Sequence, residues 1–309
     1  MKHTTLAATL ATATLSLCLA TSAHANECHF DKTLTVSGTP ALFVNTGSGD
    51  VRVMPGKDGE IHISGRVRSS HSGWFGGSSN EGQVQPVCDH PPIEQNGTDV
   101  RIGKDRDNSE MYRHVSIDYV IETPAATQVN ANSGSGNLEL HELTSRVTAN
   151  TGSGDIRASN LGADSKLETG SGNIQADGLA GDAKLETGSG DIRLQQSSPG
   201  NIRAHTGSGN IEIASLTGGL NAGTGSGEIH VTGSPTETWK LETGSGNVHL
   251  NIPSSKGFEL DAEASSGNIN VAQPITMQGS LNKHHVHGNV SGGGPLIHIE
   301  TGSGDIDIN

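Results

Sequence analysis

Apolar and polar residues alternate in short runs along most of this chain, and a glycine-rich corner separates one run from the next. Before the corners stand pairs such as Val147/Ala149, Ser165/Leu167, Ala183/Leu185, Ile202/Ala204 and Trp239/Leu241. After them stand Ile156/Ala158, Ile174/Ala176, Ile192/Leu194, Ile211/Ile213 and Val248/Leu250. Residues two apart share one face of a strand, so each run predicts a strand buried on one side. Leu143, Leu161, Leu179 and Leu216 punctuate a return turn. The predicted unit is strand, corner, strand, return turn.

The corner is the string TGSG followed by Asp, Asn or Glu and then Ile or Val. It begins at Thr46, Thr151, Thr169, Thr187, Thr206, Thr224, Thr243 and Thr301. Ser133 opens a close variant, Ala264 a degraded one, and His287–Val290 reads as a weaker remnant. From Gly134 to Gly244 the first glycine recurs every 18 or 19 residues; two spacings of 21 and one of 16 follow. A fixed period over this length marks a solenoid. One unit cannot bury its few aliphatic side chains alone, whereas units stacked in register give every strand a backbone partner above and below. Gly at the corner allows positive φ and close approach of neighbouring backbones. Asn137, Asp155, Asn173, Asp191, Asn210, Glu228, Asn247 and Asn268 would then form a column in which acid and amide largely alternate. That alternation keeps like charges off adjacent strands.

Composition fits a narrow core. Of 309 residues 43 are Gly and 31% are apolar. Six of the eight aromatics lie before residue 130. Gly does not fall at every third position, which excludes collagen. Residues 26–130 are less regular. Strands are expected at His29–Val36, Ala41–Met54, Ile61–Val67, Thr98–Gly103 and Val115–Ile121, closing the N-terminal end of residues 131–309. Residues 69–92 form a Gly/Ser/Pro-rich loop carrying Trp74 and Phe75, read as packing back onto this cap. The chain ends as GDIDIN inside a strand, so the last edge is expected to be either guarded only by Asp305 and Asp307 or covered by another molecule in end-to-end self-association.

Residues 1–25 have the form of a secretory signal peptide. Lys2 precedes a Leu/Ala/Thr stretch, and Ala23-His24-Ala25 offers a cleavage site. No later stretch is apolar and long enough to span a membrane as a helix. Beyond this segment 18 basic residues face 33 acidic ones, a net charge of −15, which disfavours nucleic acid and anionic membrane surfaces. Cys28 and Cys88 remain, and in an oxidising compartment the pair reads as a disulfide.

The TGSGD/N-I/V corners, with Val115-Ser-Ile-Asp-Tyr-Val-Ile-Glu-Thr-Pro124 leading into Ser133-Gly-Ser-Gly-Asn, resemble the bacterial family of β-strand-repeat "putative adhesin" domains of exported and envelope proteins. The resemblance runs from about Leu34 onward. It implies an all-β parallel β-solenoid, a right-handed β-helix, and carries over no catalytic residue.

Some β-helices act on polysaccharides through charged groups on one face, so an enzyme is the rival reading. Lys166, Lys184, Arg203 and Lys240 beside Glu168, Glu186 and Glu242 repeat evenly, however, and a catalytic site should break the repeat with a cluster of acids and bases. No such break is visible in the sequence. Calcium is disfavoured because Asn often replaces Asp after the corner. His284, His285 and His287 could bind zinc or copper weakly, but with no carboxylate near in sequence they read as a polar loop. The expectation is a non-enzymatic exported envelope module, without cofactor, that binds an envelope or extracellular protein or glycan.

Overall fold

The computed structural model describes residues 27–69, 84–103, 115–277 and 283–309. The signal-peptide segment and Trp74-Phe75 lie outside the described residues.

The repeats form a parallel β-solenoid. Val147–Thr151 pairs in register with Gln128–Ser133 on one side and with Ser165–Thr169 on the other. Ile156–Ser159 does the same between Leu138–His141 and Ile174–Leu179. The two strands of each corner thus contribute to two parallel walls. Like residues fall on like residues, giving columns such as Leu138, Ile156, Ile174, Ile192, Ile211, Ile229 and Val248, all buried. The thin core tolerates Ser165 and Ala183 in the column that elsewhere holds Val147, Ile202 and Leu220. Trp239 extends this column, fully buried, with its indole N–H donating to the Gly218 carbonyl at 2.8 Å.

The corners are tied by more than the glycines. Thr169 Oγ1 accepts from the amide of Gly172 in its own corner at 3.1 Å and donates to the Gly154 carbonyl of the adjoining coil at 2.8 Å. Thr151, Thr187, Thr206, Thr224, Thr243 and Thr301 make the same inter-coil bond at 2.8–3.0 Å. The glycines are required by close approach: a Cβ on Gly172 would lie 2.0 Å from the Gly154 carbonyl oxygen. Positive φ enters only later in the stack, as at Gly227 and Gly246. In the return turn the left-handed conformation recurs in register at Glu142, Asn160 and Gly178, each just before its leucine.

The stack does not follow chain order. Ala41–Thr46 and Val51–Pro55 form a coil directly against Gln128–His141. The C-terminal strands Leu296–Ser303 and Ile306–Ile308 lie between Ile229–Asn251 on one side and Phe258–Val271 on the other. The C-terminal coil is therefore not an open edge, and the sequence-based reason for end-to-end association through it does not hold. Inserted, it has hydrogen-bonded partners on both sides. His287–Val290 is not a corner either. It belongs to the strand His285–Val290, which runs antiparallel to Phe258–Ser266 and pairs with Ile275–Thr276, closing that end of the stack.

At the other end Val115–Thr123 pairs parallel with Val51–Pro55 but antiparallel with Glu60–Ser69, which in turn pairs antiparallel with Glu27–Thr35. A short helix, Val84–Asp89, sits where sequence suggested only loop. It buries Val84 and Val87, and its Cys88 is bonded to Cys28 of the first strand. Ile93–Asn96 and Asp99–Ile102 form a hairpin beside Ala41–Thr46.

Candidate functional site

On several of the regular coils outward charges neutralise one another locally. Lys166 Nζ lies 2.8 Å from Glu168, and Lys184 bridges Glu168 and Glu186 at 2.9 and 2.8 Å. Lys240 pairs with Glu242 at 2.7 Å. Burial raises the Glu168 pKa, but hydrogen bonds from Lys166 and Lys184 outweigh it and hold the carboxyl below its ordinary range. Arg203 stands on the same face beside His205, whose pKa is pushed down by burial and then by Arg203. These groups form solvated rows, as their even spacing predicts.

The histidines near the C-terminal end have a partner the sequence hid. His285 Nε2 and His298 Nδ1 each lie 2.9 Å from a different oxygen of Asp261, and His287 faces Asp261 and Glu259 at 3.9 and 3.7 Å. Burial raises the Asp261 pKa, yet the bonds from His285 and His298 more than offset this and lower it. The carboxylate comes from a strand more than 20 residues away, so local sequence gave no sign of it. Among the described residues no group of three or more His, Cys, Asp or Glu is arranged to hold a metal ion.

The repeat breaks at the N-terminal end, and there acids and bases do come together. The sequence-based expectation of no such cluster is corrected by topology. Outward residues of five adjacent strands line one concave face. Glu139, Arg52, Val120, Ser64 and Asp31 are successive cross-strand neighbours. Beside them runs a second row of Asp118, Arg66 and His29. Together with Asp50 they surround a cleft of about 630 Å³. That lies within the ~300–1,000 Å³ typical of small-molecule sites.

The bend that makes the cleft has a packing cause. The strand Val115–Thr123 serves a parallel wall on one side and an antiparallel cap on the other. Beneath it Phe30 covers Gly65, where a Cβ would come within 2.1 Å of the ring, and meets Tyr119 edge-on with centroids 6.3 Å apart. Charged groups around the cleft are paired in place. Arg52 Nε donates to Glu139 at 2.5 Å, Arg66 makes two bonds to Glu27 at 2.7 and 2.8 Å, and Arg68 bonds Asp118 at 2.6 Å. Ser64 Oγ donates to Asp31 at 2.6 Å. The Arg52 bond lowers the Glu139 pKa despite partial burial. Val120, in the middle of the cross-strand row, is the one exposed large hydrophobic residue among those described. Sequence alone offered an alternation of polar positions in Val115–Thr123, but not the neighbours that give them meaning.

Among the described residues no helix is long and apolar enough to cross a membrane. The fold and its faces define a repeat-built β-solenoid with covered ends and one irregular cleft. The chain belongs to the Toastrack DUF4097 family, whose model matches residues 39–309. No curated protein shows significant similarity to it. Among solved structures it is similar to a "putative adhesin" from Bacteroides fragilis, with 10% identity, a TM-score of 0.39, and coverage of 91% of this chain and 97% of the other. It is also similar to a "putative lipid binding protein" from Parabacteroides distasonis, at 13% identity and TM-score 0.43 over 91% and 96% of the chains. A "putative cell adhesion protein" from Clostridium sporogenes matches at 12% identity and TM-score 0.22 over 91% and 99%.

Proposed function

We propose that this protein is a non-enzymatic binding and scaffold module of the bacterial envelope, exported by residues 1–25 and acting in the periplasm or outside the cell. In this reading residues 26–130 close the N-terminal end of the stack that continues through residues 131–309. The coils of 18–21 residues wind right-handed. The Cys28–Cys88 bond supports an oxidising compartment.

The observation that carries the reading is the division of the surface. The regular coils carry locally paired charges on main-chain-bonded strands, as at Lys184 with Glu168 and Glu186. The concave break lies at one end. A repeat-built stack with a cleft at one end suits the presentation of that cleft to a partner. A glycosidase needs one carboxyl with a raised pKa to protonate its leaving group. Glu139, in the cleft wall, is instead held ionised by Arg52. The partner is an envelope or extracellular protein or glycan. Cross-linking in intact cells followed by mass spectrometry should recover an envelope component. Polysaccharide substrates incubated with the mature protein should yield no new reducing ends or unsaturated products; their appearance would overturn the non-enzymatic reading.

A further inference from the structure

We infer that the cleft bounded by Arg52, Ser64, Val120 and Glu139 is a binding site for an uncharged saccharide. This rests on the binding-module reading and names its ligand class and its place. A ligand for this face must match an apolar centre ringed by paired polar groups. Val120 is 39% exposed at the middle of the row, with Arg52 as its cross-strand neighbour on one side and Ser64 on the other. The C–H face of a pyranose suits that centre.

Around it the ion pair Arg52–Glu139, the bond Ser64–Asp31 and the carboxylate of Asp118 leave N–H groups and carboxylate lone pairs close together. A hydroxyl donates and accepts at once, so it satisfies both without separating the pairs. Ions fit less well. The cleft is lined by Asp31, Asp50, Asp118 and Glu139 against Arg52 and Arg66, a surplus of two negative charges that repels sulfated or uronate sugars. A cation would compete with Arg52 for Glu139, with Arg68 for Asp118, with Ser64 for Asp31 and with the Asn137 amide for Asp50. The side chains sit on strands, four of them in one continuous antiparallel or parallel register, so little ordering is needed on binding.

The test is titration of the mature protein with neutral tetrasaccharides of glucose and N-acetylglucosamine, beside sulfated and uronate oligomers, followed by NMR shifts. At least one neutral oligomer should bind. Arg52→Ala should weaken it about tenfold or more, as loss of a hydrogen bond to a charged group does, and Val120→Asp, which puts a charge in place of the apolar centre, should weaken it too, while Lys240→Ala on a regular face should not. Unchanged melting temperatures check that the variants fold. Absence of neutral-sugar binding at millimolar concentration, stronger binding of anionic oligomers, or full binding by both cleft variants would each overturn the inference. An envelope cross-link that persists in the Val120→Asp protein would sink the cleft while leaving the module reading in place.

Discussion

The amide of Asp305 donates to Asn247 Oδ1 at 2.9 Å, although 58 residues separate them in the chain. This bond is one step of a column of corner residues, which between Glu228 and Asn247 is carried by the Asn247 side-chain amide donating to Glu228 at 3.4 Å. Asn137, Asp155, Asn173, Asp191, Asn210 and Glu228 each donate their amide to the side-chain oxygen of the residue before, starting from Asp50, at 2.7–2.9 Å. Asn268 closes the column on Asp305 at 2.8 Å. In chain order Asn247 and Asn268 would be neighbours and the alternation of acid and amide would fail. Insertion of the C-terminal coil puts Asp305 between them, and the alternation then runs unbroken from Asp50 to Asn268. Coils ~4.8 Å apart would otherwise set carboxylates against one another. Only Asp50 and Asp118 adjoin as two acids, and there Arg68 binds Asp118.

Asn247→Asp should test this arrangement. It would place acids on three successive rungs with Glu228 and Asp305. We expect a loss of about 1–2 kcal/mol, from two like-charged contacts of up to ~1 kcal/mol each, with partial recovery in high salt. Asp155→Asn, which removes a charge from the column, should show no comparable loss. Chemical denaturation at two salt concentrations measures both; equal stability of Asn247→Asp and the parent would remove charge avoidance as the reason for the pattern.

Thr169→Val keeps the side-chain volume but deletes the hydroxyl that serves Gly172 and Gly154. Two buried main-chain groups lose their partner, so the cost should be about 1–3 kcal/mol. Thr169→Ser, which keeps the hydroxyl, should cost clearly less. Gly172→Ala should be far worse than either, because its methyl would enter the Gly154 carbonyl. A Gly172→Ala protein with parental melting temperature would mean the coils are not stacked as described.

His205 should make stability depend on pH. Burial and then Arg203 lower its pKa from the ordinary 6.5. The neighbouring Gly223 leaves room for its ring; a Cβ there would lie 2.7 Å from Nδ1. The unfolded chain takes up the proton first as pH falls. The contribution of His205 to stability is therefore present above about 6.5, declines as pH drops below it, and is fully lost below its folded-state pKa. His205→Gln should flatten the stability profile in that window. A profile unchanged by the substitution would show that another group governs it.

Much of this fold could be read from residues because each coil repeats the same local problem. Ile156, Ile174 and Ile192 recur at 18-residue spacing, and the period alone places them on one column. Two kinds of feature escaped. The role of Thr169 was present in the sequence as a Thr that opens nearly every corner, but its hydroxyl bonds become visible only with the turn geometry. The cleft and the Asp261 cluster had no period to reveal them. They depend on which strand neighbours which across tens of residues, as Asp31 does with Ser64, and on the antiparallel return of His285–Val290. The order of the last coils escaped for the same reason: nothing local distinguishes a coil that follows its predecessor from one that inserts behind it.

The most direct test of the account is a pair of engineered cross-links in the protein. Glu242 and Glu300 are register partners on adjacent strands, and Glu300 in turn partners Glu263. The double variant Glu242→Cys/Glu300→Cys should oxidise to an internal disulfide, mapped by non-reducing peptide mass spectrometry beside the native Cys28–Cys88 bond. Glu242→Cys/Glu263→Cys, two rungs apart, should keep free thiols. Efficient bonding of the second pair, with none in the first, would place the coils in chain order and contradict the inserted, in-register stack.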